Sequence, residues 1–74
     1  MNVEDILEKT YESIGEIRSL AAKQRNDAAT LKEKALISDF MYHLIVAQTN
    51  ISVASRIFID IDTNKKVSGQ PEQK

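Results

Sequence analysis

The stretch from Ile37 to Phe58 constrains this chain most, because it is apolar on more than one side of a helix. Ile37, Phe40, Leu44, Ala47, Ile51, Ala54 and Phe58 recur at alternating intervals of three and four, the seam of a helix packed lengthwise on another. Leu36, Met41, Ile45, Val46, Val53 and Ile57 fall on its other faces. A helix apolar on several sides is buried on several sides. One partner helix from the same chain cannot cover all of them, so the pattern implies self-association.

That partner helix lies upstream. Val3, Leu7, Thr10, Ile14, Ile17, Ala21 and Gln24 trace a second seam, widened by Ile6 and Leu20, while Glu4, Glu8, Lys9, Glu12, Glu16 and Lys23 occupy other faces. Asn2 is placed to cap this helix, and Glu4 and Asp5 complement its positive end. Gly15 costs an interior helix about 1 kcal/mol relative to alanine, which points to a close approach by the second helix. Asn26 and Asp27 mark the break, since their side chains bond readily to nearby backbone. Thr30-Leu31-Lys32-Glu33 matches a capping box, so the second helix starts at Asp27 or at Thr30. A continuous helix is the alternative, because Ala28, Leu31 and Ala35 keep the seam in phase. The hairpin is the preferred reading.

The far end is less regular. Residues 56–62 alternate apolar and polar and are rich in isoleucine, which allows a short strand as well as a helix end. From Thr63 onward no apolar period remains and Gly69 and Pro71 appear, the composition of a flexible tail. The expected organisation is all-α. Helices over about residues 3–25 and 30–60 form one domain, 1–62, that assembles into a homo-oligomeric bundle, with a tail over 63–74.

Size supports the oligomer. With 74 residues and no cysteine, the chain has neither the core of a larger domain nor a disulfide to replace it. A lone histidine, His43, leaves no donor set for a metal, and no cofactor is expected. Ten Lys and Arg against eleven Asp and Glu is not the basic excess of a DNA- or RNA-binding protein. The N-terminus, MNVEDILEK, is acidic where a secretory signal is basic, and the most apolar run, Phe40 to Ala47, is too short to span a bilayer. These features predict a cytoplasmic protein without a membrane partner.

Catalysis has little to stand on. His43 has Asp39 one turn before it, but no cysteine and no serine in a nucleophile turn accompany them. No glycine-rich phosphate loop exists. Asp60-Ile61-Asp62-Thr63-Asn64 opens like a calcium loop, yet Lys65 stands where glycine is needed and Pro71 where a bidentate glutamate is needed. A non-enzymatic binding protein is the expectation.

Tyr11 is the strongest candidate for a binding contact. It sits one residue past the seam, so its ring leans on the core while its hydroxyl reaches the rim. Arg18 follows two turns later on the same face, with Lys23 and Arg25 near the helix end and Lys32 and Lys34 opening the next. An aromatic platform beside several cations can stack on a base and neutralise a phosphate; an ordinary helix boundary has the same composition. Gln48, Thr49, Asn50 and Ser52 with Tyr42 form a polar strip in the second helix, and Gln48 on the seam is placed either to fix register or to face a ligand.

Three fragments resemble a known family. Tyr11 with Ile17-Arg18-Ser19-Leu20-Ala21-Ala22-Lys23, then Glu33-Lys34-Ala35-Leu36, then Asn50-Ile51-Ser52-Val53-Ala54-Ser55-Arg56 look like the helical-hairpin phage sponges. Those proteins counter CBASS and Thoeris bacterial immunity by sequestering cyclic nucleotide signals. The resemblance implies a symmetric homo-oligomer holding the nucleotide between N-terminal helices of neighbouring protomers in the host cytoplasm. It also implies a grip by an aromatic, Tyr11, and a lysine, for which Lys23 is the candidate. Together these observations give Tyr11, Arg18, Lys23 and Arg25 as the expected ligand contacts. The competing expectation is a protein-binding adaptor, secretion-type chaperone or protein inhibitor that docks Met41, Ile45, Val46 and Val53 on a different protein.

Overall fold

Asn2 starts the first helix as the sequence suggests: its Oδ1 accepts from the Asp5 amide at 2.9 Å, satisfying a donor that has no partner inside the helix. The computed structural model describes residues 2–68, with side chains described for 2–65. It contains two helices, α1 (Val3–Asp27) and α2 (Leu31–Ser68), packed against each other as an antiparallel hairpin. Among the described residues there is no strand, so the isoleucine-rich segment 56–62 is helical.

The hairpin breaks slightly later than expected. α1 continues through Asn26 and Asp27, and the chain turns at Ala28, whose φ of −66° and ψ of 139° are extended and exclude a continuous helix. Thr30 then opens α2. Its hydroxyl accepts from the Glu33 amide at 3.1 Å, and the Glu33 carboxylate accepts in return from the Ala29 amide at 3.2 Å. The return bond of the capping box thus lands one residue earlier than the ideal motif. Helix propensity kept α1 going: Asn26 and Asp27 tolerate a last turn, whereas the cap at Thr30 forces the chain to straighten just before it.

The other boundary moves further. α2 runs to Ser68, so residues 63–68 continue the helix that was expected to end near 60 and do not belong to a tail. Nothing in Thr63-Asn64-Lys65-Lys66-Val67 breaks a helix, and lysines near a C-terminus favour the helix dipole. Gly69 and Pro71, with the remainder of the expected tail, lie outside the described residues.

The register of the seam also shifts. Leu7, Thr10, Ile14 and Ala21 of α1 and Ile37, Leu44, Ala47, Ile51 and Phe58 of α2 lie on the contact line as expected. Val3, Ile17, Gln24, Phe40 and Ala54 do not; Arg18, Arg25, Met41 and Ser55 take the places of the last four, and Gln48 joins Ala47. The cause is the mismatch between 3.5 and 3.6: a strict three-four alternation drifts by about 20° per heptad around a straight helix. The contact line steps four residues, from Ile14 to Arg18, Ile37 to Met41 and Ile51 to Ser55, where the alternation steps three.

The result is long and thin. The molecule measures 65 × 20 × 9 Å with a radius of gyration of 18.6 Å, against roughly 11 Å for a compact domain of this length. Among the described residues only Ala21 and Gln48 are buried. Phe40, Tyr42, Ile45, Val46, Val53 and Ile57 of α2 are all exposed. By length and composition α2 could cross a membrane, but Gln48, Thr49, Asn50, Ser52, Ser55 and Arg56 interrupt its apolar surface, groups that lipid cannot satisfy.

Candidate ligand groove

Gln48 organises a polar site on the contact line. Its Nε2 donates to the backbone carbonyl of Tyr11 at 3.0 Å, and its Oε1 accepts from Arg18 Nη1. The Tyr11 carbonyl lies within α1, one turn before Gly15, and a carbonyl oxygen has a second lone pair to offer. Gly15 is what makes that lone pair reachable. A Cβ there would stand 3.3 Å from Gln48 Nε2, so the missing side chain lets a glutamine from α2 reach the backbone of α1. This is the close approach that an interior glycine implied.

Gln48 also aims Arg18. Held by its Nη1, the Arg18 guanidinium lies across the groove between the helices with its Nε buried and without a hydrogen-bond partner. A guanidinium carries five donors, and the fold occupies few of them. Arg56 of α2 lines the same groove. Among the described residues neither arginine is in an ion pair; His43 Nε2 lies 3.7 Å from Asp39 Oδ1, a pair open to solvent elsewhere on α2.

The groove encloses about 300 Å³ and is open on one side. Tyr11 and Arg18 form the α1 wall; Gln48, Thr49, Ser52 and Arg56 form the α2 wall, with Ile45 and Val53 at its lips. No carboxylate lines it. It therefore presents two cations, a half-exposed tyrosine ring and two hydroxyls to whatever enters, a donor-rich set suited to an anion with a flat apolar part.

The expected contacts separate into two groups. Tyr11 and Arg18 come together in the groove. Arg25 is spent elsewhere, donating to Ser38 Oγ at 3.2 Å near the turn. Lys23 is exposed and, five residues after Arg18, points about 140° away around the helix. Arg56, Thr49 and Ser52 were missed as contacts. Pairing the helices would have found them: Gly15 lies against Gln48 and Arg25 against Ser38, and this register brings the third turn of α1 beside residues 48–56. The Tyr42 ring meets His43 edge-on with centroids 5.4 Å apart. Among the described residues no three acidic, histidine or cysteine side chains gather as a metal site.

Fold and groove together define a small helical hairpin with a cationic cleft between its helices. Comparison with protein-family models, curated proteins and solved structures finds no match to this chain.

Proposed function

We propose that this protein is a non-enzymatic sponge: a cytoplasmic homo-oligomer that sequesters a cyclic nucleotide signal, in the manner of phage proteins that blunt nucleotide-based bacterial immunity. The observation that carries the reading is the groove in which Tyr11, Arg18 and Arg56 meet without a carboxylate among them. Two guanidinium groups suit phosphates, which they grip with paired N–H donors, and the Tyr11 ring offers a base a surface to stack on.

A volume of about 300 Å³ is at the small end for a ligand site, and one open side leaves much of a cyclic dinucleotide uncovered. A second protomer closing over the groove would supply the missing wall. That arrangement differs from the site between N-terminal helices which the family resemblance implies, because most of the groove's lining comes from α2 of the same chain. Sequestration needs affinity and stoichiometric amounts of protein, and no acid–base pair.

The test is titration calorimetry of the intact chain with a panel of cyclic di- and trinucleotides. Binding in the micromolar range or tighter is expected, weakened about tenfold or more by Tyr11→Ala or Arg56→Ala in proteins whose helicity is unchanged. Absence of binding across the panel, or binding indifferent to both substitutions, refutes the groove as the site. The second reading, a protein-binding adaptor, chaperone or inhibitor, draws on a different observation: Ile45, Val46 and Val53 stand exposed along α2, an apolar ridge of the kind that fills a partner's groove.

A further inference from the structure

Arg18 borders two cavities. Beside the groove that holds Tyr11, a second cavity of about 370 Å³ is lined by Gly15, Arg18, Ser19, Ala22 and Met41. At 100° per residue Tyr11, Gly15, Arg18, Ser19 and Ala22 fall within an arc of about 100° on α1, so both cavities open on one side of the hairpin. The register that sets Gly15 on Gln48 and Arg25 on Ser38 places Ser52 beside Tyr11 and Met41 beside Ala22. The groove thus runs from Arg18 towards the start of α1, and the second cavity runs from Arg18 towards the turn. Arg18 and its bond to Gln48 lie between them.

The two cavities differ in chemistry. The groove offers two guanidinium groups, two hydroxyls and a ring. In the second cavity Arg18 is the one charged group among the described residues, and Ser19 brings the one hydroxyl. Gly15, Ser19 and Ala22 follow one another at intervals of four and three, and side chains this small leave the surface of α1 flat. Met41 faces them from α2 with a polarisable thioether, which packs favourably against aromatic rings. Such a wall suits a flat, uncharged ring better than a phosphate.

We infer that the hairpin carries a two-lobed site for a phosphodiester with a nucleoside on each side: one base on Tyr11, the phosphate at Arg18, the second base in the cavity beside Met41. This rests on the reading of the groove as a nucleotide site and assigns a part of the ligand to each lobe. The Arg18 guanidinium, whose Nε is buried without a partner, keeps donors for an oxygen arriving between the lobes. Tyr11 and Ala22 stand roughly 16 Å apart along α1, so a ligand that fills both lobes lies extended, its bases on opposite sides of Arg18. A mononucleotide fills one lobe only.

Titration calorimetry of the full chain with a dinucleoside monophosphate (adenylyl-adenosine or guanylyl-guanosine) and the matching mononucleotide tests the proposal. The dinucleoside monophosphate is expected to bind about tenfold tighter or more, although the mononucleotide's phosphate carries the greater charge. Ser19 is exposed, so Ser19→Leu fills the second lobe without touching the contact line. It is expected to weaken the dinucleoside monophosphate about tenfold and the mononucleotide by less than about twofold. Ser13→Leu, the same change on the far side of α1, is expected to leave both within about twofold. A mononucleotide that binds as tightly as the dinucleoside monophosphate, or a Ser19→Leu chain that weakens both alike or neither, overturns the second lobe. If Tyr11→Ala still weakens binding in that case, the groove stands as a nucleotide site without it. A wild type that binds no nucleotide overturns both readings.

Discussion

Gly15→Ala ought to be stabilising in almost any exposed helix, and in this protein it is expected to do harm. Alanine in place of an interior glycine gains about 1 kcal/mol of helix stability. The added methyl would stand 3.3 Å from Gln48 Nε2, so the amide has to retreat by a few tenths of an ångström. That weakens the bond to the Tyr11 carbonyl, which contributes about 1 kcal/mol, and disturbs the charge-assisted bond from Arg18, which contributes about 1.5–3 kcal/mol. The balance favours a net loss of about 1–2 kcal/mol. A double-mutant cycle isolates the cause. With Gln48→Ala already in place the steric objection vanishes, and Gly15→Ala should return to a gain of about 1 kcal/mol. The assay is urea unfolding followed by helicity, with all four proteins at one concentration, because association adds to apparent stability. Gly15→Ala stabilising by the same ~1 kcal/mol in both backgrounds would show that Gln48 does not sit against α1 in solution, and the account of the groove would fall with it.

Other outcomes follow from the same geometry. Thr30→Ala removes the cap that starts α2 and should cost about 1 kcal/mol in the same unfolding assay. Lys23→Ala, which alters a side chain pointing away from the groove, is expected to leave cyclic nucleotide affinity within about twofold by calorimetry; a tenfold loss would place the ligand on a different face of α1. Arg25→Ala should affect unfolding by less than about 1 kcal/mol, since its bond to Ser38 is exposed, and should not alter ligand affinity.

The hairpin was legible because its signals are local. Asn2, Thr30 and Glu33 act through atoms within four residues of themselves, and the structure shows each making its bond or a neighbour of it. The seam was legible in outline but not in phase. Ile17 and Phe40 look like core by type and spacing, yet they lie off the contact line, because the sum of small angular steps along each helix carries the line past them. Arg18 shows the converse: nothing about an arginine announces a contact-line position. It takes one because Gly15 and Ala22 leave room beside it and Gln48 provides an acceptor, and these are facts about pairing between helices. The end of α2 was misplaced because loss of an apolar period says only that a face is no longer covered, while a polar stretch such as Thr63 to Ser68 can continue the helix.

On the proposed function, the node at Gln48 would tie ligand binding to folding. The same amide that fixes the register of α2 on α1, through the Tyr11 carbonyl, holds the Arg18 guanidinium across the groove. The cationic cleft therefore exists only while the register is kept, and anything that strengthens Arg18 from outside also strengthens the hairpin. A ligand at 100 times its dissociation constant adds about 2.7 kcal/mol, against a core that supplies only ~3–5 kcal/mol in a chain of this size. On the proposed function, binding would be a large fraction of the stability, which gives a sponge built this way a reason to be small. On that proposal occupied protein would persist and empty protein would be the more easily lost, with the unsatisfied donors of Arg18 as the point where the two states differ.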